Sequence, residues 1–187
     1  MNLRLHAYEP CSRANGPGRR AVVWFQGCTL NCPGCFNPAT HDPAGGYAYD
    51  TEQLAADILA LGDRIEGVSF SGGESLQQPQ ALLDLLQRLA ASPLSTLLFS
   101  GYTLPEIAAM PLGPESLSHI DVLIAGRFNV LMPCGKGLMS SANQQVHLLS
   151  SRYTSRDLAR VPTRELIIHQ DGSLTGSGIR PWRPYNR

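Results

Sequence analysis

An α/β fold built on parallel strands is predicted by three features of this 187-residue sequence. Short apolar runs alternate with amphipathic segments of helical spacing, the runs end in loops rich in glycine or cysteine, and turn residues separate them. A parallel pair needs a long crossover, so helices fall outside the sheet and ligands fall at the carboxyl ends of its strands. The length allows one substantial core, hence one domain, and is too short for a complete eight-fold β/α barrel.

The first predicted strand is Ala21-Val22-Val23-Trp24-Phe25, a continuous apolar run that reads as buried on both faces. Asp50 or Thr51 caps a helix through about Leu61, with Leu54, Ile58 and Leu61 on one face. Gly67-Val68-Ser69-Phe70 is the second strand and opens into Ser71-Gly72-Gly73-Glu74. Pro79 starts a helix carrying Leu82, Leu83, Leu86 and Leu89. Thr96 to Phe99 is a third strand, followed by a short helix from Leu104 to Met110, and Ile120 to Ile124 is a fourth strand. Residues 127–145 read as irregular and Val146 to Leu149 as a further strand. Glu165 to Thr175, bent at Asp171-Gly172, reads as a β-hairpin.

Charged residues make up 16% of the chain and the formal net charge is +0, so no basic surplus exists to bind nucleic acid or an anionic membrane. The amino terminus lacks an apolar stretch of signal-peptide length and no later run is long enough to cross a bilayer, so a soluble, cytoplasmic protein is expected. Five cysteines is an odd count, and three fall within eight residues, which fits a metal site in a reducing compartment better than a disulfide framework.

Those three are Cys28, Cys32 and Cys35, in the spacing C-x3-C-x2-C directly after the first strand. A saturated [4Fe–4S] centre takes four cysteines, so three leave one iron open to a reactive ligand. A zinc site completed by His41 or a distant cysteine is the competing reading of the same spacing. Cys11 and Cys134 stand alone and are read as plain thiols outside the ligand set.

With the Gly-Gly-Glu motif after the second strand, the chain resembles the radical S-adenosylmethionine (SAM) superfamily. Within it the chain is similar to the activating proteins of glycyl radical enzymes, above all those of anaerobic ribonucleotide reductase. Asn15-Gly16-Pro17-Gly18-Arg19, Gly27-Cys28, Cys32-Pro33-Gly34-Cys35 with Asn37, and Ser71-Gly72-Gly73-Glu74 carry the resemblance. Gly101-Tyr102, Gly126-Arg127-Phe128 and Ser141-Ala142-Asn143-Gln144 extend it to about residue 147. Two departures stand out: Ser75 replaces a proline, and Ala125 replaces an aspartate expected before Gly126.

The resemblance implies a partial (β/α) barrel of the radical SAM type, with mostly parallel strands, a core of about 15–150 and a C-terminal hairpin extension over 151–187 that includes Trp182. It implies a [4Fe–4S] cluster on Cys28, Cys32 and Cys35, with SAM bordered by Gly72, Gly73, Glu74, Arg127 and Tyr102. Reductive cleavage of SAM then gives a 5′-deoxyadenosyl radical that takes a hydrogen atom. Bulk at either glycine is expected to hinder SAM more than it hinders cluster assembly. No separate acid/base residue is required, and none is assigned. The implied partners are a glycyl radical enzyme and a one-electron donor such as flavodoxin or ferredoxin. Two other functions fit the same residues: a radical SAM enzyme acting on a small molecule or peptide, and a non-catalytic iron–sulfur or zinc protein.

Overall fold

The computed structural model describes residues 1–179. Its centre is a seven-stranded sheet whose four middle strands, β2 (Arg20–Phe25), β4 (Gly67–Gly72), β5 (Ser95–Ser100) and β6 (Val122–Ala125), run parallel. Antiparallel strands flank them. On one side lie β1 (Asn2–Ser12) and β3 (Tyr47–Asp50), on the other β9 (Gln145–Leu148), and β3 and β9 form the two edges of an open sheet among the described residues.

The crossovers form where capping and periodicity place them. Asp50 accepts bonds from the amides of Glu52 and Gln53 and so starts α1 (Thr51–Leu59). Pro79 sits in the first turn of α2 (Pro79–Leu89), where its missing N–H costs nothing. Thr103 and Glu106 form a capping box at the start of α3 (Leu104–Ala108), and α4 (Gly113–Ser118) follows.

Period-two alternation along the strands builds two cores. Val23, Phe25, Phe70, Leu98 and Leu123 face α1 and α2 through Leu54, Ile58, Leu82 and Leu86. Leu97, Val122 and Ile124 face the opposite way, against Leu138, Leu158 and Val161. This second layer comes from the stretch read as irregular, which forms a hairpin of β7 (Pro133–Lys136) and β8 (Met139–Ser141), and from α5 (Ser155–Ala159). Strands of three or four residues containing Pro and Gly leave no periodicity to detect. β1 is the larger omission, although Leu3 and Leu5, both buried, do alternate with Arg4 and His6. The predicted C-terminal hairpin is present as β10 (Glu165–Ile168) and β11 (Leu174–Ser177). Trp182 lies outside the described residues. No helix among the described residues is long and apolar enough to cross a membrane.

Candidate iron–sulfur and SAM site

The cysteine loop leaves β2 at its carboxyl end and is closed by backbone bonds. Gly27 N–H donates to the Thr40 carbonyl (2.8 Å) and Cys28 N–H to the His41 carbonyl (3.0 Å), so residues 27–41 form a tied loop. Gln26 braces the base: its amide nitrogen donates to the Asp42 and Ala39 carbonyls (2.7 and 3.1 Å) while its Oε1 bonds His6 (3.0 Å). Gln77 reaches across from the next loop, donating to Thr29 Oγ1 (2.9 Å) and Tyr102 Oη (3.0 Å) and accepting from Thr29 N–H (3.0 Å). Inside the loop, Asn31 and Gly34 adopt left-handed conformations (φ 47° and 71°) that turn the chain between the cysteines. Cys35 N–H donates to the Cys32 carbonyl, and Asn37 N–H approaches Cys35 Sγ at 3.4 Å.

All three loop cysteines line one cavity of about 290 Å³, together with Gly72, Gly73, Glu74, Gly101 and Gly126. Cys11 and Cys134 do not line it, and all five thiols are unpaired. Burial pushes the Cys28 and Cys35 thiols up from their ordinary range, so metal binding there is coupled to proton release. Among the described residues, no three His, Cys, Asp or Glu side chains are gathered closely enough to hold a single ion. Three thiols on one short loop, all lining one cavity, suit a [4Fe–4S] cluster with one iron left open to a further ligand. His41 lines the cavity, while its backbone carbonyl ties down Cys28.

The Gly-Gly-Glu turn lies where the sequence puts it, but its contacts are chiefly internal. A β-carbon on Gly73 would stand 2.3 Å from the Gly27 carbonyl oxygen and 2.9 Å from that of Thr40, and one on Gly72 would stand 2.4 Å from the Phe25 backbone. The glycines thus let the β4 loop seat against the base of the cysteine loop. Gly73→Val is accordingly expected to lose iron and SAM cleavage together, a different outcome from selective loss of SAM affinity. Iron analysis after anoxic reconstitution checks this, and full iron content would refute it.

Glu74 is 1% exposed and fully engaged by this chain. Its carboxylate accepts from Gly101 N–H (2.8 Å), Leu76 N–H (3.1 Å) and Ser100 Oγ (3.1 Å), which pins the β4 loop to the end of β5. Burial raises its pKa to about 7 against the lowering effect of those donors. A folded pKa above the ordinary 4.5 means that folding takes up a proton. This contribution to stability is complete below about pH 4.5 and is lost as pH rises through about 7. The metal-free Glu74→Gln protein should lack that decline, as urea midpoints at about pH 5 and about pH 8 will show; parallel curves would refute it.

Arg127 and Tyr102 are not among the lining residues. Arg127 Nη1 donates to both Glu106 carboxylate oxygens (3.0 and 3.1 Å), and its guanidinium stands 5.4 Å from the Tyr102 ring centroid. The Thr103 amide and then Arg127 hold the Glu106 carboxyl down at about 2. The acidic neighbour missing at Ala125 is thus supplied by α3. Apolar lining comes from Trp24, Phe36, Phe99 and Phe128, with Phe36 and Phe128 edge to face at 5.5 Å. The sequence reading gave no site role to Gln26, Gln77 or Phe36, and placed Trp24 and Phe99 only in strands and Phe128 only in a motif, since a glutamine or aromatic beside a motif has no signature of its own.

Three thiols with no fourth, facing a turn stripped of side chains at the carboxyl ends of parallel strands, are what one class requires: the radical SAM enzymes, whose cofactors are a [4Fe–4S] cluster and SAM. The family and sequence comparisons agree. The chain matches the model of the 4Fe-4S single cluster domain family over residues 14–147, and it belongs to that family. It is 32% identical over 154 residues to the anaerobic ribonucleoside-triphosphate reductase-activating protein of Vibrio cholerae, an alignment spanning 78% of this chain and 97% of the relative. It is 43% identical over 88 residues to the pyruvate formate-lyase-activating enzyme of Clostridium pasteurianum, covering 45% of this chain and 37% of that relative's length. Among solved structures, QueE from Escherichia coli superposes with a TM-score of 0.47 at 18% identity, covering 55% of this chain and 54% of the other.

Proposed function

We propose that this radical SAM enzyme activates a glycyl radical enzyme, with the anaerobic ribonucleoside-triphosphate reductase of its own cell as first candidate. The observation that carries the reading is the convergence of Cys28, Cys32, Cys35 and the Gly72–Glu74 turn on one cavity. Similarity to a reductase-activating protein over almost all of that relative's length supports the choice of partner. When bound, the cluster and SAM supply a 5′-deoxyadenosyl radical able to remove a hydrogen atom.

The chain's own residues hold, orient and shield. Cys28, Cys32 and Cys35 carry the cluster on a loop fixed by Gln26, Thr40 and Gln77. Glu74 fixes Ser100 and Gly101, which line the cavity that would hold SAM. Trp24, Phe36, Phe99 and Phe128 give the cavity apolar walls that would limit water around bound SAM. Arg127, steadied by Glu106 and stacked on Tyr102, is a further cation for the SAM carboxylate, which it would reach by exchanging partners. We read residues 1–187 as one domain, its core about 15–150, served by a flavodoxin or ferredoxin as electron donor.

Reconstitution without oxygen, with SAM, dithionite and the purified reductase, tests the reading. A glycyl radical signal by electron paramagnetic resonance on the reductase is expected. SAM cleavage with no radical on the reductase or on pyruvate formate-lyase would sink it.

A further inference from the structure

One wall of the cavity lies beyond the part of the chain matched by the family model, which ends at residue 147. Thr175, Gly176, Ser177, Gly178 and Ile179 line the same space as the cluster cysteines. The hairpin that carries them is fixed to the amino-terminal segment. The Glu165 carboxylate accepts from Ser12 Oγ and from Arg13 N–H (2.8 Å), and Asn15 Nδ2 donates to Ser177 Oγ (2.6 Å). Asn15 itself lines the cavity.

The register of this hairpin fixes which backbone groups are free. Gly172 N–H donates to the His169 carbonyl and His169 N–H to the Ser173 carbonyl, a turn ending in a left-handed glycine (φ 82°). Counting back by twos, Ile167↔Thr175 and Glu165↔Ser177 are the pairs that exchange hydrogen bonds. Between them, Leu166↔Gly176 is a non-bonded pair, so the N–H and C=O of Gly176 point away from β10. Among the described residues no strand pairs with that edge of β11.

The rest of the lining narrows the ligand. Its described residues include no Lys, Arg or Asp, and its one carboxylate, Glu74, is already held by three donors within the chain. Beside the cysteines and the aromatic side chains, the hairpin's own share of the lining, Thr175 to Ile179, carries no charged side chain and consists of a strand edge, two glycines, small hydroxyls and one isoleucine. Extended polypeptide complements such an edge, donor to acceptor, and glycines allow close approach.

We propose that the edge of β11 at Gly176, which no strand among the described residues pairs, receives an extended, glycine-bearing segment of the protein substrate as an added strand, aligning it beside the cluster. This rests on the activase reading above and adds the surface by which the substrate is held. One or two backbone hydrogen bonds are at stake, worth about tenfold in affinity. Proline at 176 removes the outward N–H and no ladder bond, since proline is tolerated at a sheet edge, whereas alanine adds a carbon and keeps the N–H.

The experiment measures glycyl radical formation against reductase concentration for wild type, Gly176→Pro and Gly176→Ala. The half-saturating concentration of the proline variant should exceed that of the alanine variant about tenfold. In wild type, hydrogen exchange at the Gly176 amide should slow when the reductase is added. Equal values for the two variants, or exchange unchanged by the reductase, overturn the proposal while the activase reading stands. A proline variant that only changes the chain's own oligomeric state overturns it too, by assigning the edge to a second copy. No radical with wild type at any concentration instead removes the activase reading, and this proposal with it.

Discussion

Cys32→Ala is expected to leave a folded chain that neither retains an oxygen-labile cluster nor cleaves SAM, and Cys28→Ala and Cys35→Ala should behave alike. Three thiolates already leave one iron without a protein ligand, so a second vacancy removes the cluster's hold on the loop. The loss should exceed the roughly 10–100-fold that follows from changing residues behind a metal ligand. The fold survives because the loop is closed by backbone bonds and glutamine braces, and none of the three cysteines belongs to either apolar core. Cys11→Ala, at an exposed thiol that does not line the cavity, is the matched control. Iron and sulfide analysis with a 5′-deoxyadenosine assay decides the matter. A Cys32→Ala protein with a full cluster would show the ligand set to be wrong.

The second large effect is at Arg20, far from the cysteines at the amino end of β2. Its guanidinium is fully buried and, among the described residues, meets no carboxylate within bonding distance; neutral groups solvate it instead. Nε donates to Ser69 Oγ (2.8 Å), Nη1 to Ser95 Oγ (2.9 Å), Pro17 O (3.1 Å) and Tyr153 Oη (3.2 Å), and Nη2 to Val68 O (2.8 Å) and Ser95 O (3.0 Å). Burial lowers its pKa from the ordinary arginine value, with Tyr153 opposing. Arg20→Ala removes the guanidinium's bonds to three buried carbonyls and to Ser69, Ser95 and Tyr153 and opens a void, so a loss of about 3–5 kcal/mol is expected. Urea unfolding of the metal-free chain measures it, and Arg20→Lys should recover only part, because an ammonium cannot span the same acceptors. A loss within about 1 kcal/mol would mean that the site relaxes around the deletion.

The sequence was most informative where the controlling physics is local. Asp50 capping its own helix, Pro79 opening the next, and the leucines of α2 turning to one face depend on neighbours a few residues away, and the structure has them as read. The same holds for the three cysteines, whose C-x3-C-x2-C spacing keeps them within one short loop.

Roles set by distant partners were not legible. Glu74 read as one of the residues bordering SAM, and nothing in the sequence signalled that its carboxylate also accepts from Ser100 and Gly101, 26 and 27 positions on, because β4 and β5 end side by side. Gly73 read as open space for a cofactor, yet the Gly27 carbonyl lies where its side chain would be. Arg127 found its acidic partner on α3 and not beside it in the chain.

By itself, then, the sequence determined the parallel-strand architecture, the cysteine loop and the class of chemistry, since periodicity, capping and cysteine spacing are properties of short segments. Only the tertiary structure decided that the carboxyl-terminal hairpin closes the cavity. Glu165 meets Ser12 across 153 positions and Ser177 meets Asn15 across 162, pairings that exist only once the sheet has brought the two ends of the chain together.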